Sequence, residues 1–429
     1  MQKLLVMCAL ATVAGAASAQ SRSTNLAPDT IRLSRRQAIA TALLKNPQLD
    51  IAREQTAQVR AQRVENDGLV DPALAASYNN QTSLFNTGSA QGRTLNLAMV
   101  VPFPDKFRLR STIGVANIHA SEEQFRLIQQ IIAAQAARAY DSVLVTQLHQ
   151  RNLTETRDLA LDFLKKTEAK FSAGSVARLD VIRAQVGVAQ AENDLIANRR
   201  DVANATAALN RVLGRPLGLP IALVDSLSAP DHVPTLDAIE ARALANRPEL
   251  RQLEHQLRAA HANSHLTKEQ AFLPDLTLGA NRDYAQDAGT LYTVGLAMPL
   301  PVFFWQHTKG DFSETRHREL EIAATIKDAR AAVGQDVRTS FSAADAALRQ
   351  LVFLRDQLLP AAREAYRVAS VSYGLGRLSA LDVLDARRTL VDAQRQYADA
   401  LAAASSSLSD LERAAGVPIS TFDAGVPRD

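Results

Sequence analysis

The 429 residues carry 48 Lys and Arg against 45 Asp and Glu, a formal net charge of +3, with 47% apolar and 5% aromatic residues. So small an excess, with no basic run interleaved with aromatics, argues against a nucleic-acid partner. The single cysteine, Cys8, provides no disulfide and no thiolate site, so packing or assembly must hold the fold.

The chain opens MQKLLVMCALATVAGAASAQ. Lys3 ahead of an apolar run from Leu4 to about Ala14, then Ala17-Ser18-Ala19, is expected to be a secretory signal peptide over residues 1–19. No later stretch reaches eighteen consecutive apolar residues, which excludes a spanning helix but leaves a β-barrel open. A chain rich in Ala, Leu, Arg, Gln, Asp and Glu favours long helices.

The remainder repeats itself. Ala42-Leu43-Leu44-Lys45-Asn46-Pro47-Gln48-Leu49 returns as Leu244-Ala245-Asn246-Arg247-Pro248-Glu249-Leu250, and Leu97-Ala98-Met99-Val100-Val101-Pro102 as Leu296-Ala297-Met298-Pro299-Leu300-Pro301. Phe171-Ser172-Ala173-Gly174 returns as Tyr373-Gly374-Leu375-Gly376, and Leu179-Asp180-Val181 as Leu381-Asp382-Val383. The offset stays between 199 and 202, in one order, which marks a tandem duplication with halves at 20–218 and 219–429.

Each half reads as helix, two strands, very long helix, turn, long helix. The opening helices are expected over about 34–68 and 235–272, broken at Pro47 and Pro248. Strand pairs follow over about 73–102 and 275–301. In the first, Leu74, Ala76 and Tyr78, then Leu95, Leu97, Met99 and Val101, alternate with small or polar residues. In the second, Leu276, Leu278 and Ala280, then Tyr292, Val294, Leu296 and Met298, do the same. Period-two alternation of this kind suits a barrel wall with lipid outside and water inside. The stretches 83–92 and 283–290 read as hairpin loops.

Helical hairpins are expected over about 106–214 and 306–416. The first arm, at about 55 residues, would span roughly 80 Å. Pro360 reads as a break between stacked helices. The turns at Phe171-x-x-Gly174 and Tyr373-x-x-Gly376 place glycine where a left-handed residue closes a helix. Four strands cannot close a barrel, since about eight are the minimum, and open edges are not tolerated in lipid. Strands must be pooled between copies; two copies leave little room inside, whereas three give a water-filled lumen.

In this order of elements the chain resembles the TolC-like outer membrane factor family. The strand pairs ending Leu97-Ala-Met-Val-Val-Pro102 and Leu296-Ala-Met-Pro-Leu-Pro301, the two tips, and Leu381-Asp382-Val383-Leu384-Asp385-Ala386 carry the likeness. The resemblance implies a mainly α fold with a small β part, assembled as a homotrimer. Its twelve-stranded outer-membrane barrel would continue into a twelve-helix periplasmic barrel. It also implies a periplasmic adaptor docked at the tips, around Phe171, Gly174, Tyr373 and Gly376, and an inner-membrane pump. The segment Ala297-Met-Pro-Leu-Pro-Val-Phe-Phe resembles the CzcC-like heavy-metal branch, which implies a pump of the RND type.

Within that frame Asp382 and Asp385, i and i+3 at a helix start, share one face. Three copies would ring an aperture with carboxylates attractive to cations. Asp180 is the equivalent acid in the first half, where Arg183 stands in place of Asp385. Dipole compensation in a first turn is the competing account of these acids. His261 and His265 have zinc-compatible spacing, but without an acid at ligand spacing they read as an exposed pair. No Walker loop, Gly-x-Ser-x-Gly elbow or His-Glu-x-x-His motif supports catalysis or a resident cofactor. The expectation is an outer-membrane exit duct of a tripartite efflux system. The alternatives are a type I protein-secretion duct of the same shape and a soluble periplasmic coiled-coil scaffold.

Overall fold

A computed structural model describes residues 30–79, 92–226, 233–285, 289–300 and 304–417. The expected signal peptide, 1–19, lies outside these residues, as does the expected first hairpin loop, 83–92, apart from Gly92, which opens a strand. Each half begins with a helix broken at proline: α1 (Arg35–Lys45) and α2 (Pro47–Asp67), then α5 (Leu236–Asn246) and α6 (Pro248–Phe272). Ser34 starts α1 with a reciprocal capping box to Gln37. At the first break Asn46 serves both sides. Its Oδ1 accepts from the Gln48 N–H at 2.9 Å and its Nδ2 donates to the Val212 carbonyl at 2.9 Å. Arg247 stands at the second break, buried and ion-paired with Asp336, which Arg413 also reaches at 3.2 Å. The same joint is thus built with neutral groups in one half and charged groups in the other.

Strands β2 (Ala73–Asn79), β3 (Gly92–Val101), β5 (Leu276–Ala285) and β6 (Gly289–Ala297) form one antiparallel sheet in the order β2-β3-β5-β6. The second hairpin differs from expectation at both ends. Residues 283–285 and 289–290, read as loop, extend the strands, and Gly289, the first residue of β6, has φ 79. The last strand ends at Ala297, short of the expected 301. Register keeps the alternation intact: Leu74 faces Leu97, Leu97 faces Ala280, and Ala280 faces Val294 on one side. On the other side Asn96 and Asn281 are paired and hydrogen-bond through their side chains.

Two short strands, β1 (Ile31–Leu33) and β4 (Ile221–Leu223), pair in parallel beside the first repeat. The sequence reading did not include them, because three residues carry no usable period. Tyr140 is fully buried beneath them, its hydroxyl 3.0 Å from the Leu33 carbonyl and 3.2 Å from the Asp225 carboxylate.

Helix α3 (Pro104–Ser172) runs for 69 residues, or about 100 Å, longer than the roughly 80 Å expected because the arm is helical without a break from just before the expected start at 106 to the turn. It returns as α4 (Arg178–Val212). In the second half α7 (Phe304–Phe353) passes through a π-helical turn, Leu354–Leu358, into α8 (Leu359–Gly374), and α9 (Ala380–Ala415) returns. The break expected at Pro360 is therefore a π-turn within one rod. Proline has no N–H for the i−4 carbonyl, and the wider turn, with the Leu359 N–H on the Leu354 carbonyl, absorbs the mismatch.

The apolar core is distributed along the rods. One cluster joins Leu33, Ile132, Tyr140, Val143, Leu209 and Leu213 in the first half. Another joins Ile239, Leu250, Val337, Leu348, Leu401 and Leu411 in the second. A third, around Phe163, Ala184, Tyr366, Tyr373, Val383 and Leu390, ties the two hairpins together near their tips. Buried alanines such as Ala136, Ala184, Ala398 and Ala404 let the helices approach closely. Where the rods meet the sheet, Lys106 is only 1% exposed and pairs with Asp275 at 2.6 Å. Removing either partner would leave an uncompensated charge at that joint.

Candidate functional site

The tips are two copies of one turn. In the first, Ser175 N–H donates to the Lys170 carbonyl at 2.9 Å and Gly174 N–H to the Phe171 carbonyl at 2.9 Å. In the second, Arg377 N–H donates to the Ser372 carbonyl at 2.9 Å and Gly376 N–H to the Tyr373 carbonyl at 3.0 Å. Gly174 and Gly376 take φ of 72° and 73°, the left-handed conformation such a closure needs.

The aromatic residues at these tips have separate surroundings. Phe171 is 43% exposed, whereas Tyr373 is 2% exposed. Tyr373 packs on Phe163 with ring centroids 5.3 Å apart, and its hydroxyl lies 3.2 Å from Thr167 Oγ1. Lys170 Nζ donates to the Tyr373 carbonyl at 2.6 Å and lies 4.7 Å from the ring centre. Tyr373 is therefore a clasp between the tips, while Phe171, Gly174 and Gly376 face outward. Lys170 and Thr167 carried no sequence signal, because their partners lie on the other repeat.

Helix α9 begins at Ser379, whose hydroxyl accepts from the Asp382 N–H at 3.3 Å. In return the Asp382 carboxylate accepts from the Ser379 N–H at 2.9 Å and from its hydroxyl at 2.7 Å. These hydrogen bonds hold the Asp382 carboxyl below the usual aspartate range. Asp382 thus caps its helix and stays ionised while exposed. Asp385 is exposed one turn further on, where its side chain plays no part in the cap.

The first hairpin differs. Ala177 precedes α4 without a side-chain cap, and Asp180, half-buried, pairs with Arg183 at 3.6 Å on the same helix. The pair Asp382–Asp385 therefore carries negative charge that Asp180 does not match. Just above, Arg387 lies across Gly187 of α4, where an added Cβ would come within 2.6 Å of its Nη2. Burial lowers the Arg387 pKa and raises that of nearby Tyr366.

Away from the tips, His261 and His265 lie with ring centroids 4.8 Å apart. Glu319 of α7 approaches His261 Nδ1 at 3.6 Å, an acid the linear spacing concealed. No cluster of three metal-ligating side chains occurs among the described residues.

Comparison with known proteins places this geometry. The family described as outer membrane efflux protein matches residues 38–215 and 241–417. The cobalt-zinc-cadmium resistance protein CzcC of Cupriavidus metallidurans is 27% identical over 325 residues, covering 70% of this chain and 73% of the relative. The toluene efflux pump outer membrane protein TtgC of Pseudomonas putida is 28% identical over 381 residues, covering 84% and 78%.

Among solved structures, CusC has a TM-score of 0.75 at 20% identity, covering 89% of this chain and 92% of that one. The outer membrane protein VceC of Vibrio cholerae has a TM-score of 0.73 at 18% identity, covering 90% and 96%. At those identities the likeness carries the fold. The family consists of outer-membrane channels rather than enzymes. The chain belongs to the outer membrane efflux protein family.

Proposed function

We propose that this chain, as a ring of three copies, forms the outer-membrane exit duct of a tripartite efflux assembly. A periplasmic adaptor docks at its tips, and an inner-membrane pump of the RND type supplies the energy. The observation that carries the reading is the sheet. Among the described residues both of its edges, β2 and β6, are unpaired, and its outward face is aliphatic in the rows nearer the helices. Every pair within this sheet is antiparallel, so β2 and β6 run in opposite senses. In a head-to-tail ring, β6 of one copy meets β2 of the next as a further antiparallel pair, which closes the cylinder. Exposed Leu179, Ile182, Val186 and Ile196 on α4, and Val368 and Val371 on α8 with Leu375 just after it, supply apolar stripes for neighbouring copies lower down.

At the periplasmic end Asp382 and Asp385 of each copy line the aperture. Ionised carboxylates in such a ring favour cations and oppose anions. The cargo most consistent with that ring is cationic, divalent metal ions included, and CzcC is the relative whose name fits it. The clasp from Lys170 to the Tyr373 carbonyl, with Tyr373 on Thr167, holds the two hairpins together in the shut state. Opening parts them. Single-channel recording tests the reading: Asp382→Asn with Asp385→Asn should abolish cation preference and block by multivalent cations. Unchanged selectivity and block would overturn the aperture assignment.

A further inference from the structure

The outward face of the sheet is not uniformly apolar, and its polarity has a direction. Register sorts the outward residues into rows. Nearest the helices lie Val101–Leu276 and then Met99–Leu278–Leu296, followed by Leu74–Leu97–Ala280–Val294. Farther out lies Ala76–Leu95–Arg282–Tyr292, and farthest lies Tyr78–Arg93–Tyr284–Thr290. The near rows are wholly aliphatic. The far rows hold two arginines and three tyrosines.

Arg93 and Arg282 are both exposed. Arg93 is paired with Tyr284, two residues from Arg282, so the arginines are diagonal neighbours on β3 and β5, at roughly 7–8 Å. The Arg282 guanidinium lies 6.0 Å from the centre of the Tyr292 ring, a cation–π distance that steers it along the surface. Asp283, the acid among the described residues of these strands, alternates to the inner face. Two guanidinium groups therefore share the lipid-facing side with no carboxylate beside them in their rows. Arginine on that side is tolerated near the interface and disfavoured at mid-depth, and tyrosines mark the interface. A guanidinium fork matches phosphate oxygens in geometry as well as charge.

We propose that Arg93 and Arg282, framed by Tyr78, Tyr284 and Tyr292, bind the phosphate groups of anionic lipid headgroups in the leaflet remote from the helices. The site rests on the membrane-inserted reading of the sheet and adds a ligand to it. Bound headgroups would bridge adjacent strands and fix the depth of the barrel.

The test uses the full chain in phosphatidylcholine vesicles, with and without a fixed fraction of a bis-phosphorylated glycolipid, lipid A. The wild-type oligomer should gain several degrees of thermal stability from lipid A, and nothing from dephosphorylated lipid A or from inorganic phosphate. Arg93→Gln with Arg282→Gln should keep its stability in plain phosphatidylcholine and lose most of the gain, while the double Lys variant keeps part of it. Equal gain in the Gln variant, equal gain from the dephosphorylated lipid, or a gain reproduced by free phosphate would overturn the site. Insertion without any such gain leaves the duct standing and removes only this proposal, whereas failure to insert in every vesicle removes both.

Discussion

Asp382 and Asp385 have the same side chain and different work, and their neighbours explain the division. Asp382 closes a capping box with Ser379, so the helix-start account of that acid is correct in its local geometry. The capping hydrogen bonds also keep the carboxylate charged, so the cap and a charged aperture do not compete. Asp385 contributes no cap and isolates the charge effect. Asp385→Asn should weaken cation preference while leaving tip stability unchanged. Ser379→Ala should do the reverse, lowering stability by about 1 kcal/mol with selectivity retained; thermal unfolding and reversal potentials separate the two.

The sign of the pH dependence follows from the lowered Asp382 pKa. Its contribution is complete above pH 3.8, the ordinary aspartate value, and is lost as pH falls through the lower folded value. Protection from hydrogen exchange at the start of α9, relative to the intrinsic amide rate at each pH, should therefore fall in acid. Tyr140 behaves oppositely. Burial, followed by the adjacent Asp225, raises its pKa to about 12. Its contribution is present below pH 10.0 and is lost as pH climbs through the folded value. Tyr140→Phe should cost about 0.5–1.5 kcal/mol, the net worth of the lost hydrogen bond, because the Leu33 carbonyl keeps the Val224 N–H and the Asp225 carboxylate keeps the Arg35 N–H; denaturant unfolding measures it.

Among the elements, the turns show which parts of the fold could be read beforehand. Gly174 and Gly376 recur at the repeat interval and occupy the left-handed position that the reading assigned them. The strand alternation was equally legible, since period two needs only neighbours in sequence. Features set by distant partners were not. The burial of Tyr373 depends on Thr167 and Lys170 of the other hairpin, and the approach of Glu319 to His261 depends on α6 packing against α7. The π-turn before Pro360 depends on the rod continuing, which proline alone argues against.

The same contrast gives a mutational test. At Gly174 an added Cβ meets open space, so Gly174→Ala should cost about 1–2 kcal/mol for its backbone conformation alone. At Gly214, also left-handed at φ 67°, the Cβ would lie 2.3 Å from the Lys45 carbonyl oxygen. Gly214→Ala should exceed the other loss by about 1–3 kcal/mol of overpacking, read as the difference in unfolding midpoint. Lys170→Ala removes the clasp without touching either glycine, and should raise open probability in single-channel records.

At the scale of the whole molecule, the chain is a structure unfinished by itself. A four-stranded sheet whose two edges are free among the described residues, and whose outward rows nearer the helices are aliphatic, is stable in lipid only when closed. The rods, about 100 Å long, expose apolar stripes that a single copy does not cover. On the proposed reading fold and function are linked through assembly: closing the cylinder would create the bore, and convergence of the tips would create the aperture. The most direct test is an image reconstruction, with native mass, of the oligomer extracted from outer membranes. Three copies around one continuous bore, with β6 of each paired to β2 of the next and Asp385 facing the axis at the tips, is the predicted result. A monomer with its sheet edges covered by its own helices, or an assembly with no axial passage, would contradict it.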